Sequence, residues 1–139
     1  MDKKYRTGYT TGVFDLFHIG HLNILKRAKE QCEYLIVGVS TDELVKEYKN
    51  KTPIISFSER KAIVEAIKYV DEVVVQENMD KLEAWERLKF DALFHGDDWK
   101  NSDMYNSLEA GLKARGVDLV FLPHTDGISS TEIVERTGK

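Results

Sequence analysis

Five short apolar runs alternate with stretches in which apolar residues recur every three or four positions. The runs cover 8–14, 34–40, 72–75, 92–95 and 119–122. In Tyr34-Leu35-Ile36-Val37-Gly38-Val39 the apolar residues are consecutive, which suits a strand covered on both faces of a parallel sheet. Between the runs, 20–30 carries Leu22, Leu25 and Ala28 at core spacing, with Lys26 and Lys29 facing out. Stretch 41–48 predicts a short helix with Leu44 and Val45 inside. Ser56-Phe57-Ser58-Glu59 predicts a capping box ahead of an inner face made of Ala62, Ile63, Ala66 and Ile67. Stretch 81–89 buries Leu82, Trp85 and Leu88, and 102–115 places Leu108 and Leu112 four apart before Gly116 stops it. A last helix is expected to begin near Ser129 or Ser130. The alternation predicts an α/β fold: a doubly wound, five-stranded parallel sheet between two helical layers, an α/β/α sandwich. No repeat or linker breaks it, so residues 1–139 are expected to form one domain.

Ligands on such sheets bind beyond the carboxyl ends of the strands. Polar segments follow four of the runs: Asp15 to His21, Ser40-Thr41-Asp42-Glu43, Gly96-Asp97-Asp98-Trp99, and His124 to Thr131. A parallel sheet brings all of them to one rim.

The richest segment is His18-Ile19-Gly20-His21. Imidazoles three residues apart share one side of a helical turn and can present two N–H donors to one anion. A lone histidine is more often structural; the pair, its glycine and its strand-to-helix junction point to nucleotide phosphate. Ser129-Ser130-Thr131 after Gly127 and Ile128 offers a second helix start suited to an anion, although Ser129 with Glu132 also fits a plain capping box. Asp97 and Asp98 can bond a ribose hydroxyl or exocyclic amine or help hold a metal, with Trp99 flanking a base, or the segment can form an acidic turn. Asp15 is expected to orient an imidazole or the substrate, or to stabilise a turn. Lys46, Lys49 and Lys51 read as a solvated face or as a lid that brings a lysine to phosphate. Arg60, at a helix start, opposes the dipole and is expected to reach the same rim.

Composition narrows the field. With 42% hydrophobic and 32% charged residues the chain has an ordinary water-soluble balance. A net charge of −4 argues against a broad nucleic-acid footprint. The single cysteine, Cys32, rules out an intrachain disulfide and reads as packing near the end of the first helix, which suits the cytoplasm. No apolar run reaches a membrane span, and the N-terminus lacks a signal-peptide core. No zinc spacing, nucleophile elbow or Walker loop appears, and no side-chain metal site is expected.

Five stretches together resemble the cytidylyltransferase family, within the HxGH nucleotidyltransferases. They are Gly12-Val13-Phe14-Asp15-Leu16-Phe17-His18-Ile19-Gly20-His21, Ser40-Thr41-Asp42-Glu43, Tyr69-Val70-Asp71-Glu72-Val73, Gly96-Asp97-Asp98-Trp99 and Thr125-Asp126-Gly127-Ile128-Ser129-Ser130-Thr131. The resemblance runs from Tyr9 to about Glu135. It implies a Rossmann-like fold and a reaction of CTP with a phosphorylated alcohol, glycerol 3-phosphate foremost, giving a CDP-alcohol and pyrophosphate with Mg2+. His18, His21, Lys49 and Arg60 take the catalytic roles it implies. Thr11, Gly12, Val13, Phe14, Asp15, Gly20, Gly96, Asp97, Asp98, Trp99, His124, Thr125, Gly127, Ile128, Ser129, Ser130 and Thr131 join the histidines around the nucleotide. Asp15, Lys46, Lys49 and Arg60 face the acceptor. The resemblance also implies a homodimer and a product used in cell-envelope biosynthesis.

One departure stands out. The family pattern Arg-Thr-Glu-Gly-Ile-Ser-Thr reads here His124-Thr125-Asp126-Gly127-Ile128-Ser129-Ser130. Arginine is always charged, whereas histidine is often neutral at pH 7. His124 is therefore expected to touch nucleotide phosphate or ribose best when protonated. The Ile-Ser-Ser-Thr form is similar to adenylyltransferases of the wider superfamily, so AMP transfer to a phosphorylated cofactor precursor is the nearest alternative. Phosphocholine or phosphoethanolamine as acceptor, a regulatory module that binds nucleotide without catalysis, and a synthetase-like fragment are further alternatives. The acidic balance and short chain argue against the fragment.

Overall fold

The computed structural model describes residues 3–96, 102–123 and 133–135. Its elements run β1 (Tyr5–Gly12), α1 (Ile19–Gln31), β2 (Cys32–Ser40), α2 (Asp42–Lys49), α3 (Phe57–Glu65), β3 (Glu72–Gln76), α4 (Lys81–Leu88), β4 (Ala92–Gly96), α5 (Asp103–Lys113) and β5 (Asp118–Leu122). The strands lie in the order β3-β2-β1-β4-β5, and every pairing is parallel. This is a Rossmann-like α/β sheet. The chain winds outward from β1 to β3, then returns to lay β4 on the other side of β1. On open parallel sheets such a reversal, here beyond the ends of β1 and β4, is where ligands bind.

The consecutive apolar residues of β2 do what the pattern predicts. Leu35, Val37 and Val39 face one helical layer with Leu25 and Ala28 of α1 and Val64 of α3. Ile36 faces the other, with Tyr9, Leu93, Ala84 of α4 and Leu112 of α5. Gly116, at φ +77, ends the α5 segment in the left-handed region that glycine tolerates best. The matched stretch 69–73 serves the sheet. Asp71 accepts from the Leu35 amide at 2.7 Å and from Lys29 at 2.6 Å, and its own amide donates to the Leu35 carbonyl at 3.0 Å. These bonds pin the entry of β3 to β2.

Cys32 lies where packing was expected, buried at the C-cap of α1 and the start of β2. Three local expectations change. β1 stops at Gly12 instead of Phe14, because Phe14 turns to φ +55. In α3 the inner face is Arg60 and Val64, while Ala62, Ile63 and Ala66 are exposed. Nor does Ser56 form its capping box: its hydroxyl bonds the Glu59 carboxylate at 3.1 Å and makes no side-chain bond to the helix backbone.

Candidate active site

The loop from β1 to α1 is tight. Phe14 and Leu16 both take positive φ, +55 and +51, an uncommon state for residues with side chains that clusters at functional sites. Phe14 is driven inward to 5% exposure. There it packs its ring 6.2 Å from Phe17 and edge-on to His21 at 5.4 Å. Gly12 makes this possible, since a Cβ there would sit 3.0 Å from the Phe14 ring.

The histidine pair caps α1. His18 is the N-cap residue, and its Nδ1 accepts from the Gly20 amide at 3.0 Å. His21 Nδ1 accepts from the His18 amide at 3.2 Å. The rings stack 3.9 Å apart and 24° from parallel. Because each Nδ1 is an acceptor, the neutral rings carry their proton on Nε2. Both rings are thus held in one tautomer by the helix start itself. Burial lowers the His21 pKa to about 3; His18 and Lys49 push the same way and Asp15 opposes them. The positive end of the α1 dipole favours the same neutral state.

Around the pair, the expected residues divide. Lys49 lies at the end of α2, near enough to raise the cost of charging His21. Its own pKa is lowered, first by burial and then by Lys51, with Asp15 opposing. Lys46 is exposed on the same helix. Asp15 fastens a loop and also acts on the charge of His21: its two carboxylate oxygens accept from the amides of Ile54 and Ile55, each at 2.8 Å. Thr11 and Gly12 end β1, Val13 follows, Gly20 lies in the first turn of α1, and Gly96 ends β4 opposite Leu122. Asp97, Asp98, Trp99, His124, Thr125, Gly127, Ile128, Ser129, Ser130 and Thr131 lie outside the described residues.

Arg60 departs most from expectation. It was expected to reach a phosphate, yet it is 0% exposed. Its Nε donates to the Ile55 carbonyl at 2.9 Å, and one terminal nitrogen donates to Val13 at 2.7 Å and Ser40 at 2.8 Å. The other terminal nitrogen meets Asp42 at 2.6 Å. One guanidinium thereby ties the exits of β1 and β2, the start of α2 and the loop held by Asp15. Asp42 is the residue that sequence reasoning missed as its partner. The spacing alone showed nothing, because the pair is 18 residues apart.

The cytidylyltransferase-like family profile matches residues 9–136. The glycerol-3-phosphate cytidylyltransferase of Bacillus subtilis is 41% identical over 134 residues, covering 91% of this chain and 93% of that protein. The FAD synthase of Pyrococcus horikoshii is 37% identical over 139 residues, covering 97% and 93%. Among solved structures, the lipopolysaccharide core biosynthesis protein of Thermoplasma volcanium superposes with a TM-score of 0.72 at 26% identity, covering 87% of this chain and 97% of that one.

Two measurements check the site as built. In 15N-imidazole NMR, His21 should show the Nε2–H tautomer and no titration between pH 5 and 8; a midpoint near 6.5 would contradict the buried, backbone-bound ring. The unfolded chain protonates this residue before the fold does, so its contribution to stability is complete above about pH 6.5 and is lost as pH falls toward 3. Arg60→Met leaves Asp42 and three carbonyls without their donor. Urea unfolding should show a loss of about 3 kcal/mol; a loss under about 1 kcal/mol would mean the arginine is not the tie described.

Proposed function

The chain belongs to the cytidylyltransferase-like family and is a nucleotidyltransferase, and from that premise we propose that it transfers CMP from CTP to a small phosphoalcohol, glycerol 3-phosphate first. A phosphate oxygen of the acceptor attacks the α-phosphorus in line. The bond from that phosphorus to the bridging oxygen breaks, and its electron pair leaves with pyrophosphate. The products are CDP-glycerol and pyrophosphate, with no bond to the enzyme. Catalysis is then alignment plus stabilisation of the charge that gathers on the transferring group.

The observation that carries this reading is the capped histidine pair. Two imidazoles with both Nδ1 atoms bound to backbone amides are hydrogen-bond donors through Nε2, held beyond the end of β1 where the strand order reverses. Lys49 adds positive charge beside them, near enough to act on His21. Asp15 and Arg60 act one layer back, holding the loops that carry these groups. By sequence, Asp97, Asp98 and Trp99 are assigned to the cytidine, and Ser129, Ser130 and Thr131 with His124 to the phosphates.

Mg2+ is proposed to enter with CTP. Among the described residues no group of three or more His, Cys, Asp or Glu side chains could hold a metal. The donor set fits an ion liganded by phosphate oxygens and water, which would neutralise triphosphate charge when bound. Among the described residues no helix is long and apolar enough to cross a membrane. A cytoplasmic homodimer supplying cell-envelope synthesis is part of the same proposal.

A second reading has its own support. The resemblance to a FAD synthase at 37% identity favours AMP transfer from ATP to a phosphorylated cofactor precursor. Pyrophosphate release decides between them. CTP and ATP should each be offered with glycerol 3-phosphate, phosphocholine, phosphoethanolamine and riboflavin 5′-phosphate. We expect the highest kcat/KM with CTP and glycerol 3-phosphate. Faster turnover of ATP with riboflavin 5′-phosphate would replace this reading with the second.

A further inference from the structure

A second polar pair stands at the same rim and has no place in the chemistry above. His95 is the residue before the last of β4. Its Nδ1 lies 3.1 Å from the Gly96 carbonyl, and its Nε2 lies 2.9 Å from the Tyr105 hydroxyl. Tyr105 is 4% exposed, in the first turn of α5, with its amide bonded to the Ser102 hydroxyl at 3.3 Å. The His95 and Tyr105 rings are 4.9 Å apart, and Phe121 of β5 meets the Tyr105 ring edge-on at 6.2 Å.

The chemistry of the partners gives the pair a direction. A carbonyl can only accept, so Nδ1 of His95 donates to Gly96 and carries the ring's proton in the neutral form. Nε2 is then the acceptor, and the Tyr105 hydroxyl donates to it. Burial, and after it the nearby Tyr48 hydroxyl, push the Tyr105 pKa up to about 12, which keeps that proton in place. Tyr48, on α2, is raised in pKa by burial, against the lesser effect of Ser40, which lies near it at the end of β2. The polar groups thus run from the exit of β2 to the exit of β4, on either side of β1, where the strand order reverses.

Filling this strand end with apolar side chains would be simpler, since a buried polar pair must stay fully bonded to avoid a desolvation penalty. What the pair adds is a fixed orientation for the Gly96 peptide. In sequence that peptide leads directly into Asp97, Asp98 and Trp99.

We propose that His95 and Tyr105 are positioning residues: by holding the Gly96 carbonyl they fix the end of β4, and with it the affinity and base preference for nucleotide. The proposal rests on the nucleotidyltransferase reading. It assigns the pair to nucleotide binding and leaves the transfer step to the groups around α1.

Steady-state kinetics with CTP and with ATP test it, using wild type, Tyr105→Phe, His95→Gln and the double variant, each checked for folding by circular dichroism. His95→Gln retains an acceptor for Tyr105 and removes the donor to Gly96. Each single variant should raise KM for the preferred nucleotide about five- to tenfold, with kcat within about threefold, as expected for one lost hydrogen bond. The double variant should be no worse than the worse single, because the two residues act as one unit. Preference between CTP and ATP should narrow in all three. Leu108→Ala, which loosens packing on the same helix away from the rim, should leave KM unmoved. If wild type turns over but KM of the variants stays within about twofold, the pair has no such role and the reaction stands. If kcat falls while KM holds, the pair belongs to the transfer step and the proposal is wrong. Wild type that neither binds nor consumes either nucleotide overturns the pair's role together with the reading beneath it.

Discussion

The first turn of α1 is capped by its own imidazoles, and the chemistry of the site follows from that. A helix start leaves amides without partners. Here two of them, Gly20 and His18, are taken by Nδ1 of His18 and Nδ1 of His21. Satisfying the backbone thereby selects the tautomer, stacks the rings and assigns the proton to Nε2. Serine or aspartate would cap the helix equally well, but neither would leave a second, protonated nitrogen on the same ring. Structural need and chemical capacity are met by one set of atoms.

Such preorganisation needs rigid loops beneath it, and these are held by buried charge. Arg60 gathers carbonyls from positions 13, 40 and 55 and the carboxylate of Asp42. Asp15 fastens the amides of Ile54 and Ile55 from the other side. The segment after α2 is therefore clamped at both its carbonyls and its amides, and Lys49 is delivered from its edge. A fully buried arginine is costly unless its donors are used, and four donations here go to named acceptors. Its burial turns a residue type associated with phosphate binding into a structural tie.

Much of this was legible in the residue pattern. Consecutive apolar residues at 35–39 announced a strand covered on two faces, and the alternation announced the parallel order that collects polar segments on one rim. The histidine pair stood out because three-residue spacing has a geometric meaning on a helix. Arg60 was misjudged because its acceptors are mainly backbone carbonyls, which leave no mark in a sequence. The phase of α3 was misjudged for a related reason. Ala62 and Ile63 look like an inner face until Arg60 is allowed to occupy one, and a nine-residue helix offers too few turns to settle the phase. His95 and Tyr105 meet across a strand end and a helix start, ten residues apart, with no periodic relation between them.

The central claim is that the two Nε2–H groups act on the transferring phosphate in the transition state more than on bound CTP. Its most direct test is to measure kcat by pyrophosphate release and CTP affinity by equilibrium titration for His18→Ala and His21→Ala. The account predicts that kcat falls by about 10²–10³ in each variant while affinity changes by less than about tenfold. A kcat within about tenfold of wild type in a folded variant would contradict it.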